Sequence, residues 1–172
     1  RAPGGGGGGA GGGAGGGGAA RRWPRHGAAD APPLVLLHGG MGSGDDFAAQ
    51  LPALAARFRV IVVDSRGHGR STRGQGGLGY HAMAEDLVAV LDHLGLARVA
   101  VLGWSDGGIV ALDLALHHPT RVDRLVVTGV NTDKAGTRST AGSATFKAYF
   151  ARAVKEYRRL APDPRPPAAL PQ

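Results

Sequence analysis

Ten residues, Val99 to Gly108, read Val-Ala-Val-Leu-Gly-Trp-Ser-Asp-Gly-Gly, and they restrict the fold of this chain most severely. Val99 to Leu102 form a short apolar run that reads as a buried strand, and Ile109 onward reads as a helix. Between them, Gly103-Trp104-Ser105-Asp106-Gly107 fits the G-x-S-x-G pattern of a sharp strand-to-helix turn. Such a turn forces its central residue into a strained conformation with the side chain exposed. Glycines two residues before and after it let strand and helix approach without a Cβ clash. Ser105 then stands at the C-terminal edge of a sheet, beside the positive end of a helix. That placement makes Ser105 a candidate nucleophile.

The rest of the chain supplies a sheet for this turn. Order is expected to begin at Pro32-Pro33, where Leu34-Val35-Leu36-Leu37 has the continuous apolar character of a parallel strand covered on both faces. A Gly-rich loop follows, His38-Gly39-Gly40-Met41-Gly42-Ser43. Phe47, Leu51, Leu54 and Ala55 fall at helical spacing, with Pro52 suited to a first turn. Val60 to Val63 is the next strand and leads into Asp64-Ser65-Arg66-Gly67-His68-Gly69-Arg70-Ser71. Met83, Leu87, Val90, Leu91 and Leu94 share one helical face, which Gly95 stops. A helix carrying Ile109, Leu112 and Leu116 ends at Pro119, and Leu125-Val126-Val127 is a fourth strand. This alternation predicts an α/β fold of four parallel strands with flanking helices. Their expected order is Val60–Val63, Leu34–Leu37, Val99–Leu102, Leu125–Val127.

The flanks read differently. Thirteen of the first 18 residues are Gly, and residues 1–30 are expected to be a disordered tail. The sequence opens on Arg1 rather than Met, which suggests a processed product, an excised piece or an incomplete reading. The basic residues Arg21, Arg22 and Arg25 are not followed by the apolar stretch of a secretory signal, so cytoplasm is the default location. The net charge of +7 divides into +3 over residues 1–30, −1 over 31–132 and +5 over 133–172. A nucleic-acid binder would carry its basic stripe on the folded surface, and here the core is neutral. There is no Cys, which excludes disulfides and thiolate metal sites.

The three segments His38–Ser43, Asp64–Ser71 and Gly103–Gly107, in this order, resemble the α/β-hydrolase family over about residues 32–132. The resemblance implies that the four strands are inner strands of a larger sheet, whose first strands the Gly-rich tail replaces. It implies a serine hydrolase acting on a small-molecule ester, lactone or similar acyl substrate, with no cofactor and no metal. Ser105 is then the nucleophile, and the backbone N–H groups of Gly40 and Asp106 are the oxyanion donors. Chemistry alone supports that pairing, because an acyl-transfer intermediate needs two preorganised donors where negative charge develops. His38 is expected to hold its loop, Asp64 and Arg66 to brace their own turn, and His68 to be half exposed. The Asp106 carboxylate is expected in solvent near the pocket mouth. His81 and His93 have no evident partner, and His117 and His118 close a helix. No His and acid show metal-ligand spacing.

In the family, an orienting acid and a catalytic His follow later in the chain. The last His of this sequence is His118, and Asp133 is the one position that suits the acid. The resemblance therefore implies a fragment, inactive as it stands. A non-catalytic module that binds a small apolar ligand is the alternative. Residues 133–161 are expected to form a loop and then a helix with Phe146, Phe150, Ala153, Tyr157 and Leu160 on one face. The favoured role of that helix is a cap, with a basic helix on anionic lipid as the sharper alternative. Pro-rich residues 162–172 are expected to be a tail. Unprotected strand edges at Val60–Val63 and Leu125–Val127 predict self-association or aggregation.

Overall fold

The computed structural model describes residues 24–131, 133 and 142–164. Its five strands are β1 (Arg25–His26), β2 (Pro33–Leu37), β3 (Arg59–Val63), β4 (Val99–Trp104) and β5 (Val122–Thr128). The helices are α1 (Leu51–Ala55), α2 (Tyr80–His93), α3 (Asp106–His117) and α4 (Ala144–Leu160). The strand order is β1-β3-β2-β4-β5. β3, β2, β4 and β5 are parallel and lie in the order the sequence predicts, whereas β1 pairs antiparallel with β3.

β1 corrects the boundary expected for the tail. Arg25 and His26 face Ile61 and Val60, and the Pro24 carbonyl accepts from the Val62 N–H at 3.1 Å. The β3 edge is therefore partly covered, not open. Residues 1–23, most of the loop after Asn131 and residues 165–172 lie outside the described residues.

Strand alternation sorts the core into two layers. Val35, Leu37, Ile61, Val63, Val99 and Val101 pack beneath α2 and α3 with Leu87, Leu91, Val110 and Leu114. Leu34, Leu36, Val60 and Val62 face the other way, onto Phe47, Leu51 and Leu54. On that second face, Pro33, Leu34, Ala100, Leu102 and Val126 line an open groove of about 580 Å³. Phe47 belongs not to α1 but to a separate 3-10 turn, Gly44–Phe47, whose Ser43 cap side chain accepts from the Asp45 N–H.

The register decides where the loops gather. Leu37 is level with both Val63 and Gly103, so β2, β3 and β4 end together. His38–Gly42, Asp64–Ser71 and Ser105 thus emerge at one edge of the sheet. Helix α3 enters this edge at very close range. A Cβ on Gly103 would sit 2.4 Å from the Gly107 carbonyl oxygen, and one on Gly107 would sit 2.3 Å from the Leu37 carbonyl oxygen. Both obstacles are backbone and cannot swing away. Gly103→Ala should therefore lower unfolding stability by about 2–3 kcal/mol, measured as a fall in the urea midpoint, whereas Gly79→Ala, with open space around it, should shift the midpoint far less.

Candidate active site

Ser105 connects β4 to α3 with φ 51° and ψ −126°. Its N–H donates to the Thr128 carbonyl at 2.9 Å, and its carbonyl accepts from the N–H groups of Gly108 and Ile109. These bonds hold a conformation that costs a non-Gly residue on the order of 1–3 kcal/mol. Among the described residues, one other non-Gly residue has positive φ, Met41 at 60°. Met41 and Ser105 line the same cavity of about 580 Å³, together with Gly40, Asp106, Trp104, Tyr149, Phe146 and Phe150. The structure thus brings Ser105, Gly40 and Asp106 to one place.

Asp106 is only partly exposed, and its carboxylate has neighbours the sequence did not suggest. Oδ1 accepts from the Tyr80 hydroxyl at 3.2 Å, and a Cβ on Gly40 would meet Oδ2 at 2.4 Å. Gly40 is therefore the residue that lets the loop after β2 lie against Asp106. Asp133 is exposed and lies outside the lining of this cavity, and its backbone carbonyl accepts from the Asn131 side chain at 3.1 Å.

Polar bonds fix the loops around the cavity. His38 is buried; its Nδ1 donates to the Gly39 carbonyl at 2.7 Å, and its Nε2 accepts from the Ser65 N–H at 3.1 Å. Both ring nitrogens are occupied in joining the β2 and β3 loops. The Asp64 carboxylate accepts from the Gly44 N–H at 2.7 Å and the Arg70 N–H at 2.8 Å, so it braces a neighbouring loop as well as its own. Arg66 reaches further than expected, making a two-point contact with Asp86 of α2 at 2.7 and 2.6 Å. That buried fork holds the Arg66 guanidinium above its usual pKa.

Helix α4 closes one side of the cavity. The side chain that anchors it is Tyr149, which the sequence reading passed over in favour of Phe146 and Phe150. The Tyr149 hydroxyl donates to the Gly40 carbonyl at 2.8 Å, and its ring meets Trp104 edge-on at 6.2 Å. Burial, with Asp46 nearby, pushes the Tyr149 hydroxyl up to about 12, so it remains a donor. Arg152 pairs with Asp46 at 3.2 Å beside it. Phe146 and Phe150 are each 42% exposed and give the cavity wall its apolar character. Tyrosine is apolar enough to pack and carries a hydroxyl that must find a partner, which is the signal at position 149.

The family described as the alpha/beta hydrolase fold matches residues 32–159. This chain belongs to the α/β-hydrolase family. It is similar to the magnesium-chelatase 30 kDa subunit of Rhodobacter capsulatus, 49% identical over 107 residues, covering 61% of this chain and 36% of that protein. It is also similar to the sn-1-specific diacylglycerol lipase of Danio rerio, 35% identical over 141 residues, covering 81% of this chain and 42% of the relative. Among solved structures, a hydrolase from Pseudomonas aeruginosa superposes with TM-score 0.69 and 35% identity, over 85% of this chain and 52% of that one. The chain thus spans about half or less of the length of these three proteins. No helix among the described residues is long and apolar enough to cross a membrane.

His68, outside the cavity lining, gives the stability of this α/β-hydrolase-family chain a pH dependence. Burial, then the His38 ring 5.3 Å away, depress its pKa to about 4, although Nδ1 donates to the Arg66 carbonyl. In the unfolded chain a His titrates near about 6.5. Between these values the unfolded state binds the proton first, so stability is complete above pH ~6.5 and is lost as the pH falls towards 4. Urea midpoints at pH 7.0 and 4.5 should differ more for the wild type than for His68→Gln.

Proposed function

We propose that this chain is the nucleophile-bearing part of a serine hydrolase that cleaves an ester, lactone or related acyl bond of a small molecule. One observation carries the reading: the two strained non-Gly residues, Met41 and Ser105, line one apolar cavity at the ends of β2 and β4. Strain of this kind collects where a fold must hold a reacting group in place. In this reading the Ser105 hydroxyl attacks the acyl carbon while the Gly40 and Asp106 amides donate to the developing oxyanion, each worth roughly 3–4 kcal/mol. Met41, Trp104, Phe146 and Phe150 would receive an apolar acyl or alcohol part. The lipase relative, named for an ester-bearing lipid, is in keeping with that wall.

A serine hydroxyl also needs a base to take its proton, and an acid to orient the base. Among the described residues no His lines the cavity, and His38 has both ring nitrogens engaged. The base is therefore assigned to chain outside these 172 residues. Asp133, just past β5, is retained as the acid candidate within them. The missing His also favours a second reading, a module that binds a small apolar molecule without turnover.

The two readings separate in one comparison. Loss of the base from such a site lowers turnover by on the order of 10⁶. Residues 1–172 should hydrolyse p-nitrophenyl esters barely above background, and Ser105→Ala should leave that rate unchanged. A product of the same gene extended through a downstream acid and His should turn over, and Ser105→Ala should abolish it. Quenching of Trp104 fluorescence by a short-chain ester, with no turnover by the extended product, would instead support the binding module. Robust Ser105-dependent turnover by residues 1–172 would overturn the assignment of the base.

A further inference from the structure

Away from the cavity, α2 and α3 bring together three side chains that their sequence separation conceals. His81 lies in the first turn of α2, while Asp113 and His117 lie one turn apart near the end of α3. Nδ1 of His81 is 2.9 Å from Asp113 Oδ1, and Nδ1 of His117 is 3.2 Å from the same oxygen. The two imidazole rings are 4.7 Å apart between centroids. One atom from each residue lies within 4.8 Å of the others. None of the three lines the Ser105 cavity.

We propose that His81, Asp113 and His117 form a zinc site that ties α2 to α3. The geometry is close to that of a bound ion. Ligand bonds of about 2.0–2.1 Å in a tetrahedron set ligand atoms roughly 3.3–3.4 Å apart. The two nitrogen-to-oxygen separations, 2.9 and 3.2 Å, fall within about half an ångström of that edge, and the three ligand atoms all lie within 4.8 Å of one another, so closing on an ion draws the two exposed rings together.

Nδ1 of His81 faces the Asp113 carboxylate alone, whereas Nδ1 of His117 also lies 3.0 Å from the Asp113 backbone carbonyl, a contact it would give up to bind an ion. Protonating both rings would place two cations side by side on one negative charge. A single divalent ion satisfies all three atoms and lets both rings be neutral. Two imidazoles and one carboxylate suit zinc, whereas magnesium and calcium prefer an all-oxygen set. Glu85, one turn along α2, bonds His118 Nε2 through Oε1 at 2.7 Å, and the same oxygen is 3.9 Å from His81 Nε2, beyond hydrogen-bond reach but near enough to add negative charge beside the cluster. All three ligands keep an exposed side, which gives the ion entry and leaves its fourth position to water. Bracing α2 against α3 here also steadies Tyr80, the residue before His81, on Asp106.

The test uses the whole 172-residue chain in metal-free buffer, titrated calorimetrically with zinc chloride. One zinc should bind per chain, and zinc should raise the wild-type melting temperature. His81→Ala, His117→Ala and Asp113→Asn should each weaken binding about tenfold or more and abolish the thermal shift. His93→Ala, at the far end of α2, should bind as the wild type does. Cobalt(II) should give the visible spectrum of a four-coordinate ion, lost in the same three variants. Circular dichroism of each variant separates loss of ligands from loss of fold. No saturable binding by the folded wild type, or binding that survives all three substitutions, would overturn the proposal.

Discussion

The end of β4 and the start of α3 are packed so closely that only glycine fits two residues before and two residues after Ser105. Backbone oxygens of Gly107 and Leu37 stand where Cβ atoms at Gly103 and Gly107 would be, and Val130 Cγ1 lies 2.3 Å from a Cβ on Gly108. This contact draws the helix N-terminus down onto the ends of β2 and β4. The turn between them then has no room for an ordinary conformation, and Ser105 takes φ 51° as a consequence. The strain is borne by the surrounding sheet, whose central strands β2 and β3 are apolar and buried. A helix set a few ångströms higher would relieve Ser105 and would also withdraw Asp106 from the cavity it lines.

The loops that complete the cavity depend on polar bonds rather than on apolar burial. His38, Asp64 and Arg66 are buried or partly so, and each joins two segments distant in sequence. An unpaired polar group here would lose its hydration without compensation. The same bonds that satisfy these groups therefore define where Gly40 lies relative to Ser105. Tyr149 extends the arrangement to α4 by bonding the Gly40 carbonyl, so the wall of the cavity and the loop after β2 share an anchor.

What was legible in the sequence follows from these two kinds of force. Strands β2 and β3 could be read because burial on both faces demands continuous apolar residues, β4 and β5 because their apolar runs persist although each keeps a more open face here, and the Ser105 turn because its glycines are obligatory. The short β1 could not. Arg25 and His26 join the sheet through backbone bonds alone and leave no hydrophobic period. His81 has no partner within its own helix nearer than Glu85, and its pairing with Asp113 exists only because α2 packs on α3. Tyr149 was hidden for a similar reason. Hydrophobicity singled out Phe146 and Phe150, whereas the contact that anchors α4 is a hydroxyl meeting a carbonyl 109 residues earlier. Arg66 was placed in the right loop but with too short a reach, since a bidentate pair with Asp86 needs the tertiary fold to bring α2 alongside.

Under the proposed function the strained turn presents Ser105 between two oxyanion donors, an arrangement that amide NMR can detect. An aryl boronic acid that adds to a serine hydroxyl places a negatively charged oxygen where the oxyanion of acyl transfer would be. Titration of the ¹⁵N-labelled chain should move the Gly40 and Asp106 amide protons downfield together, and Ser105→Ala should abolish both shifts while leaving the rest of the spectrum in place. Shifts confined to other amides, or equal shifts in Ser105→Ala, would contradict the account.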